Sequence, residues 1–178
     1  MYLSKIFVLI ILLLFSFSCA KEEINKSEIK EKSLDLQVIE AYNEGKQALE
    51  SGDVLFAAKK FNEAEVLFPQ SIWAPKSALM AAYSYYTQDY YGDAVAELER
   101  FLKVYPNYQD IDYVYFLLGL CYYEQIIDEK KDLQSIVKAK EYFEIVKKNF
   151  PKTEYALDAD FKIEYINDIL ASKEMYIG

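Results

Sequence analysis

AAKKFNEAEVLFP (Ala57–Pro69), AVAELERFLKVYP (Ala94–Pro106) and AKEYFEIVKKNFP (Ala139–Pro151) are one pattern written three times. Each has a small residue first, a large apolar one four places on, and a proline after twelve. The second proline follows the first by 37 residues and the third follows the second by 45. Apolar residues inside each stretch recur at three and four, the period of an amphipathic helix, and each proline stops that helix because it has no amide to donate. Twelve residues before Ala57 stands Gly45, and the corresponding stretches ahead of Ala94 and Ala139 carry Ala82 with Tyr85 and Leu118, Gly119 with Tyr122. Between the members of a pair lie turn or cap residues, Ser51-Gly52-Asp53 and Gln88-Asp89. In the third unit eight extra residues fall within Ile126 to Gln134, around Asp128-Glu129-Lys130-Lys131-Asp132, and lengthen one turn.

This spacing resembles the tetratricopeptide repeat (TPR), in which small residues let two antiparallel helices approach and a proline closes the unit. The resemblance implies an all-α, TPR-type solenoid of helical hairpins. Repeats are expected at about 38–71, 75–108 and 112–153, followed by a final helix at about 154–176, with Thr153 placed to cap it. No alternating strand pattern of useful length interrupts them.

The N-terminus reads differently. One cation, Lys5, precedes an apolar run from Ile6 to Phe15, and Ser16-Phe17-Ser18-Cys19-Ala20 follows. About 20 apolar residues are needed to span a bilayer, so the run reads as a signal peptide over 1–18 rather than a permanent transmembrane helix. Ser18 before Cys19 resembles a relaxed lipobox, which makes Cys19 the lipid (palmitate) acceptor. More than one acyl chain there gives stable membrane anchoring. Residues 19–36 are Lys/Glu-rich and lack aromatics, as expected of a solvated tether, leaving 37–178 for the TPR domain. Cys121 lies inside a helical pattern, far from Cys19, and reads as a small core residue.

Twenty-nine acidic against 20 basic residues, a single arginine at Arg100 and no histidine argue against a nucleic-acid partner. The chain also has no nucleophile–base arrangement, Cys/His ligand spacing, calcium loop or glycine-rich phosphate loop, so neither an enzyme nor a metal or cofactor site is expected. Acid pairs such as Glu97 with Glu99 read as exposed helix faces.

Seventeen tyrosines remain to be explained. Helical periodicity places Tyr85, Tyr115 and Tyr122 between helices, and places Tyr42, Lys46, Tyr83, Tyr86, Tyr113, Phe116 and Tyr123 on the inner face, where a TPR domain receives peptides. Tyrosine there offers apolar area and a hydroxyl at small entropic cost. Packing between neighbouring repeats is the other use of the same rings. The final helix carries two apolar stripes, Leu157, Phe161, Tyr165 and Ile169 on one side and Ala159, Ile163, Ile166 and Leu170 on another. With one stripe packed on the third repeat, Ile163, Ile166 and Leu170 are expected to dock a partner in place of the further helices of longer relatives.

The stretch Asp110 to Gln125, the segment from Phe150-Pro151 to Asp158 and the ending Leu170 to Gly178 resemble the BamD/ComL family. The acidic turn at 128–132 does not match that family residue by residue, and further C-terminal repeats of that family are absent from this sequence. Membership implies an outer-membrane lipoprotein facing the periplasm. It would bind the BamA-type barrel insertase and recognise C-terminal signals of unfolded β-barrel proteins, assisting their insertion. A TPR lipoprotein scaffold for cell-wall or division proteins would share the anchor and the fold. On either view Cys19→Ala is expected to abolish incorporation of radiolabelled palmitate while leaving the repeats folded; equal labelling of wild type and mutant would exclude Cys19 as the acceptor.

Overall fold

The computed structural model describes residues 33–126 and 133–177. The signal peptide, Cys19, most of the tether and the acidic turn at 128–132 lie outside the described residues. Seven helices and no strand occur among them: α1 (Leu34–Glu50), α2 (Val54–Leu67), α3 (Trp73–Tyr86), α4 (Tyr91–Val104), α5 (Ile111–Glu124), α6 (Leu133–Asn149) and α7 (Glu154–Ile177). They form three antiparallel hairpins, α1/α2, α3/α4 and α5/α6, with α7 packed on the third. The chain is thus an all-α, TPR-type solenoid. α1 begins inside the stretch expected to be tether, because Ser33 supplies an N-cap whose side chain accepts from the amide of Leu36 at 3.4 Å.

The turns explain why the helices stop where they do. At the end of α1 the amide of Gly52 donates to the carbonyl of Leu49 (3.1 Å) and that of Asp53 to Ala48 (2.9 Å). This pair of bonds requires a left-handed residue, and Gly52, at φ 83°, supplies it without a Cβ clash. Asp53 then caps α2, its carboxylate accepting from the amide of Phe56 at 3.2 Å. The α3/α4 turn repeats the device with Tyr90 donating to Tyr85 (3.1 Å) and Asp89 to Tyr86 (3.2 Å). There the left-handed position is held by Asp89, at φ 63°, a residue type that tolerates it better than most. Thr153 stands before α7, where its hydroxyl donates back to the carbonyl of Phe150 at 3.0 Å.

Each hairpin owns a core that runs into the next first helix. Val38, Ala41, Ala57, Phe61 and Ala64 form the first, joined by Ala81 of α3. Ala82, Ala94, Leu98 and Phe101 form the second, joined by Val114, Leu117 and Cys121 of α5. Ile136, Ala139, Phe143 and Val146 form the third, joined by Ala156, Ala159, Ile163 and Ile166 of α7. Nearest-neighbour packing of this kind is what holds a solenoid together.

The first two hairpins are also latched by charge. Arg100 donates from Nη1 to Glu65 Oε1 (2.9 Å) and from Nη2 to Oε2 (2.7 Å), Tyr105 donates its hydroxyl to Glu65 Oε1 (2.8 Å), and Arg100 Nε reaches Glu97 at 2.9 Å. Glu65 is buried, and the two-pronged guanidinium with the phenol satisfies both its oxygens. Glu97 therefore belongs to a network rather than to a free helix face.

Gly119 faces fully buried Phe143 so closely that a Cβ would lie 2.5 Å from its ring, whereas a Cβ at Gly92 would meet nothing within 4 Å. Gly119→Ala is expected to destabilise the domain by about 1–3 kcal/mol through overpacking. Gly92→Ala, in a helix with open space, is expected to leave stability unchanged or raise it by up to ~1 kcal/mol. Urea unfolding of both variants with equal midpoints would contradict the close-approach account.

Candidate functional site

The first helices α1, α3, α5 and α7 bring an aromatic series to one face. At its start the ring of Tyr42 lies 5.3 Å from Phe61 and 5.0 Å from Trp73, and the ammonium of Lys76 sits 5.2 Å over Tyr42 and 5.1 Å over Trp73. In α3, Tyr83 and Tyr86 lie 6.4 Å apart, and Tyr86 reaches Tyr91 at 6.0 Å. Further on, Tyr155 of α7 contacts both Tyr113 (5.3 Å) and Phe116 (5.4 Å), while Tyr123 meets Tyr165 at 6.2 Å beneath the ammonium of Lys162, 4.3 Å from its ring.

The seven residues expected on this face do not play one role. Tyr42 and Phe116 are buried. Their rings form the floor, Phe116 packing on Phe143 at 5.7 Å as well as on Tyr155, so packing between repeats has claimed them. Tyr83, Tyr86, Tyr113 and Tyr123 are half-buried, and Lys46 is exposed. Periodicity missed Trp73, Lys76 and Tyr155, which complete the face. Lys76 lies seven residues before Tyr83, two helical turns, so the same period that picked out Tyr83 reaches it.

Burial raises the pKa of Tyr113, and burial with the Glu124 carboxylate raises that of Tyr86. Both phenols stay protonated at neutral pH and present donor hydroxyls with apolar rings. That is equipment for binding rather than for proton transfer. Burial also pushes the Cys121 thiol up to about 12, so it carries no thiolate to react. Among the described residues no group of three or more His, Cys, Asp or Glu is placed to hold a metal ion.

The final helix places the stripe expected to dock a partner in the core, together with Ile169 of the other stripe. Ile163, Ile166 and Leu170 pack against the third hairpin, with Ile166 at 0% exposure, and are core rather than a docking surface. Leu157 (62% exposed), Phe161 (64%) and Tyr165 (51%) face outward instead. The physical reason lies in Ala156 and Ala159. These small residues share a side with the isoleucines and let α7 approach α6, which the stripe carrying Phe161 and Tyr165 cannot do. Lys147 of α6 closes the edge of that contact by pairing with Asp160.

Residues 34–178 match the family model described as "YfiO: Outer membrane lipoprotein". Among curated relatives, the outer membrane protein assembly factor BamD of Caulobacter vibrioides is 37% identical over 137 residues, covering 77% of this chain and 45% of its own. The BamD of Rickettsia prowazekii is 36% identical over 153 residues, covering 86% of this chain and 61% of its own. The chain thus spans about half the length of the curated relatives it matches. Among solved structures, the first TPR of Spaghetti (RPAP3) bound to an HSP90 peptide superposes with a TM-score of 0.57 at 16% identity, covering 76% of this chain and 94% of that one. At that identity the likeness shows the fold.

The two sides of α7 make opposite predictions. Ile166→Glu buries an unpaired charge and is expected to destabilise the domain by about 3 kcal/mol or more. Phe161→Glu, on the exposed side, is expected to change stability by no more than about 0.5 kcal/mol. Thermal melts giving equal losses for the two would contradict the orientation of the helix.

Proposed function

The chain belongs to the YfiO family of outer membrane lipoproteins, and from that premise we propose that it is a BamD-like assembly factor that binds other proteins and catalyses no reaction. It is lipid-anchored through Cys19 on the periplasmic side of the outer membrane. Its TPR domain holds the BamA-type barrel insertase and unfolded β-barrel proteins together for membrane insertion. The observation that carries this is the aromatic face. Half-buried tyrosines from successive first helices give an extended, aromatic-rich segment ring surface and hydroxyl partners along its length, and α3 is preorganised by its core to offer them. Unfolded β-barrel strands alternate apolar and polar residues, with aromatic girdles near their ends, and so suit such a face.

The experiment pairs Tyr83→Ala with Tyr86→Ala and measures, by calorimetry, binding of a peptide taken from the last strand of an outer-membrane barrel. The expected loss is about 1–3 kcal/mol with helicity by circular dichroism unchanged. In cells, a tagged wild-type chain is expected to co-purify with the barrel insertase. Full-strength peptide binding by a folded double mutant, or purification without an insertase, would contradict the proposal.

A further inference from the structure

Exposed aliphatic side chains gather at one edge of the first two hairpins. Leu34 and Leu36 open α1, Val66 (73% exposed) stands in the last turn of α2, Ile72 (85%) precedes α3, and Val104 ends α4. The antiparallel hairpins bring these positions to the same edge. Gln37 and Leu67 line one shallow groove where α1 begins and α2 ends, and Val66, Pro69 and Val104 line another between the ends of α2 and α4. Residues 66–75 hold no charged side chain, and along the edge Asp35, Asp110 and Glu154 are offset by Lys103, Lys148 and Lys152. The opposite edge exposes Leu55, Phe56 and Tyr90 as well, but it sets them among Glu50, Asp53, Asp89 and Asp93. No lysine occurs there in residues 50–56 or 87–93.

The chain itself says which edge meets the bilayer. Ser33, the cap of α1, follows Cys19 by fourteen residues, a length that spans at most about 50 Å. The path from the anchor therefore arrives at the aliphatic edge, and the acidic edge lies a helix length further on, 17 residues or about 25 Å. We propose that the edge carrying Leu34, Leu36, Val66, Ile72 and Val104 rests on the membrane that holds the anchor, with these side chains among the lipid headgroups. This rests on the anchoring at Cys19 proposed above. A short tether keeps the edge at high local concentration beside the bilayer, so a few aliphatic residues suffice where they would not bind from solution. Lysines lay their stems along such a surface and keep their charge in water, whereas the carboxylates of the other edge are repelled by anionic lipid. The helices then stand upright on the membrane, and the aromatic face opens sideways, along the surface rather than away from it.

The chain has a single tryptophan, Trp73, so one fluorescent ring can be moved from edge to edge. Two variants of the mature chain are compared, Trp73→Phe with Ile72→Trp and Trp73→Phe with Tyr90→Trp, both checked for helicity by circular dichroism. Each is coupled through Cys19 to a maleimide lipid in vesicles of phosphatidylethanolamine and phosphatidylglycerol, with and without brominated acyl chains; the Cys121 thiol is buried and does not compete. The Ile72→Trp chain is expected to shift its emission to the blue and to lose about half of it to bromine, and the Tyr90→Trp chain to lose about a tenth or less. Adding Leu36→Asp, Val66→Asp and Val104→Asp, all at exposed positions, is expected to restore the emission of the Ile72→Trp chain. No quenching at position 72 overturns the proposal and leaves the edge to water or to a protein partner. Quenching at position 90 as strong as at 72, or quenching that survives the three aspartates, overturns it too. Because the anchor is attached chemically, these results do not depend on whether cells acylate Cys19, and the palmitate labelling of Cys19→Ala tests that reading separately.

Discussion

Close approach at a position with almost no side chain is the contact on which the rest of this structure depends. A Cβ at Gly45 would lie 2.9 Å from the ring of Phe61, and one at Gly119 would lie 2.5 Å from that of Phe143. In both hairpins the first helix leaves a space and the second fills it with a buried phenylalanine. In the middle hairpin Ala82 and Leu98 share the core in the same relation, with a smaller filler against a slightly larger small residue. Ring and glycine together set how near the two helices lie, and that separation sets which residues of the next first helix can join the core. The order of the tyrosines on the open face follows from it.

Two kinds of interaction then tie one hairpin to the next. Apolar residues such as Ala81, Val114 and Ile163 extend each core forward. They are indifferent to sequence detail so long as volume is kept. The bonds of Glu65 with Arg100 and Tyr105 are not indifferent, because a buried carboxylate without its partners is costly. A chain with one arginine has placed it across the first two hairpins, where a planar two-pronged donor fits a buried carboxylate better than an ammonium would. The first two hairpins thus present a fixed frame for Trp73, Lys76, Tyr83 and Tyr86.

Much of this was legible in the sequence, for identifiable reasons. Proline spacing and the small residues before it report local geometry, so Gly45, Phe61, Gly119, Phe143 and the three prolines reveal the hairpins directly. Turn chemistry is equally local, and Ser51-Gly52-Asp53 forms the turn its residue types favour. Depth is not local. Helical position puts Tyr42 and Phe116 on the inner side, but their burial follows from rings on other helices, Trp73 and Tyr155, that periodicity within one helix does not see. Helical counting separates two stripes on α7 but does not say which is covered; close packing of helices selects the side of Ala156 and Ala159 and takes in Ile169 as well. The Glu65–Arg100 pair, 35 residues apart, leaves no mark in either local pattern.

The central claim is that unfolded barrel segments are held on the face made by the first helices and not on the opposite surface. Photo-crosslinking in intact cells tests it most directly, with a benzophenone amino acid placed at Tyr86 in one strain and at exposed Val66 on α2 in another. Mass spectrometry is expected to recover newly made β-barrel proteins from the Tyr86 position and not from Val66. Barrel proteins recovered from Val66 alone, or equally from both positions, would contradict the account.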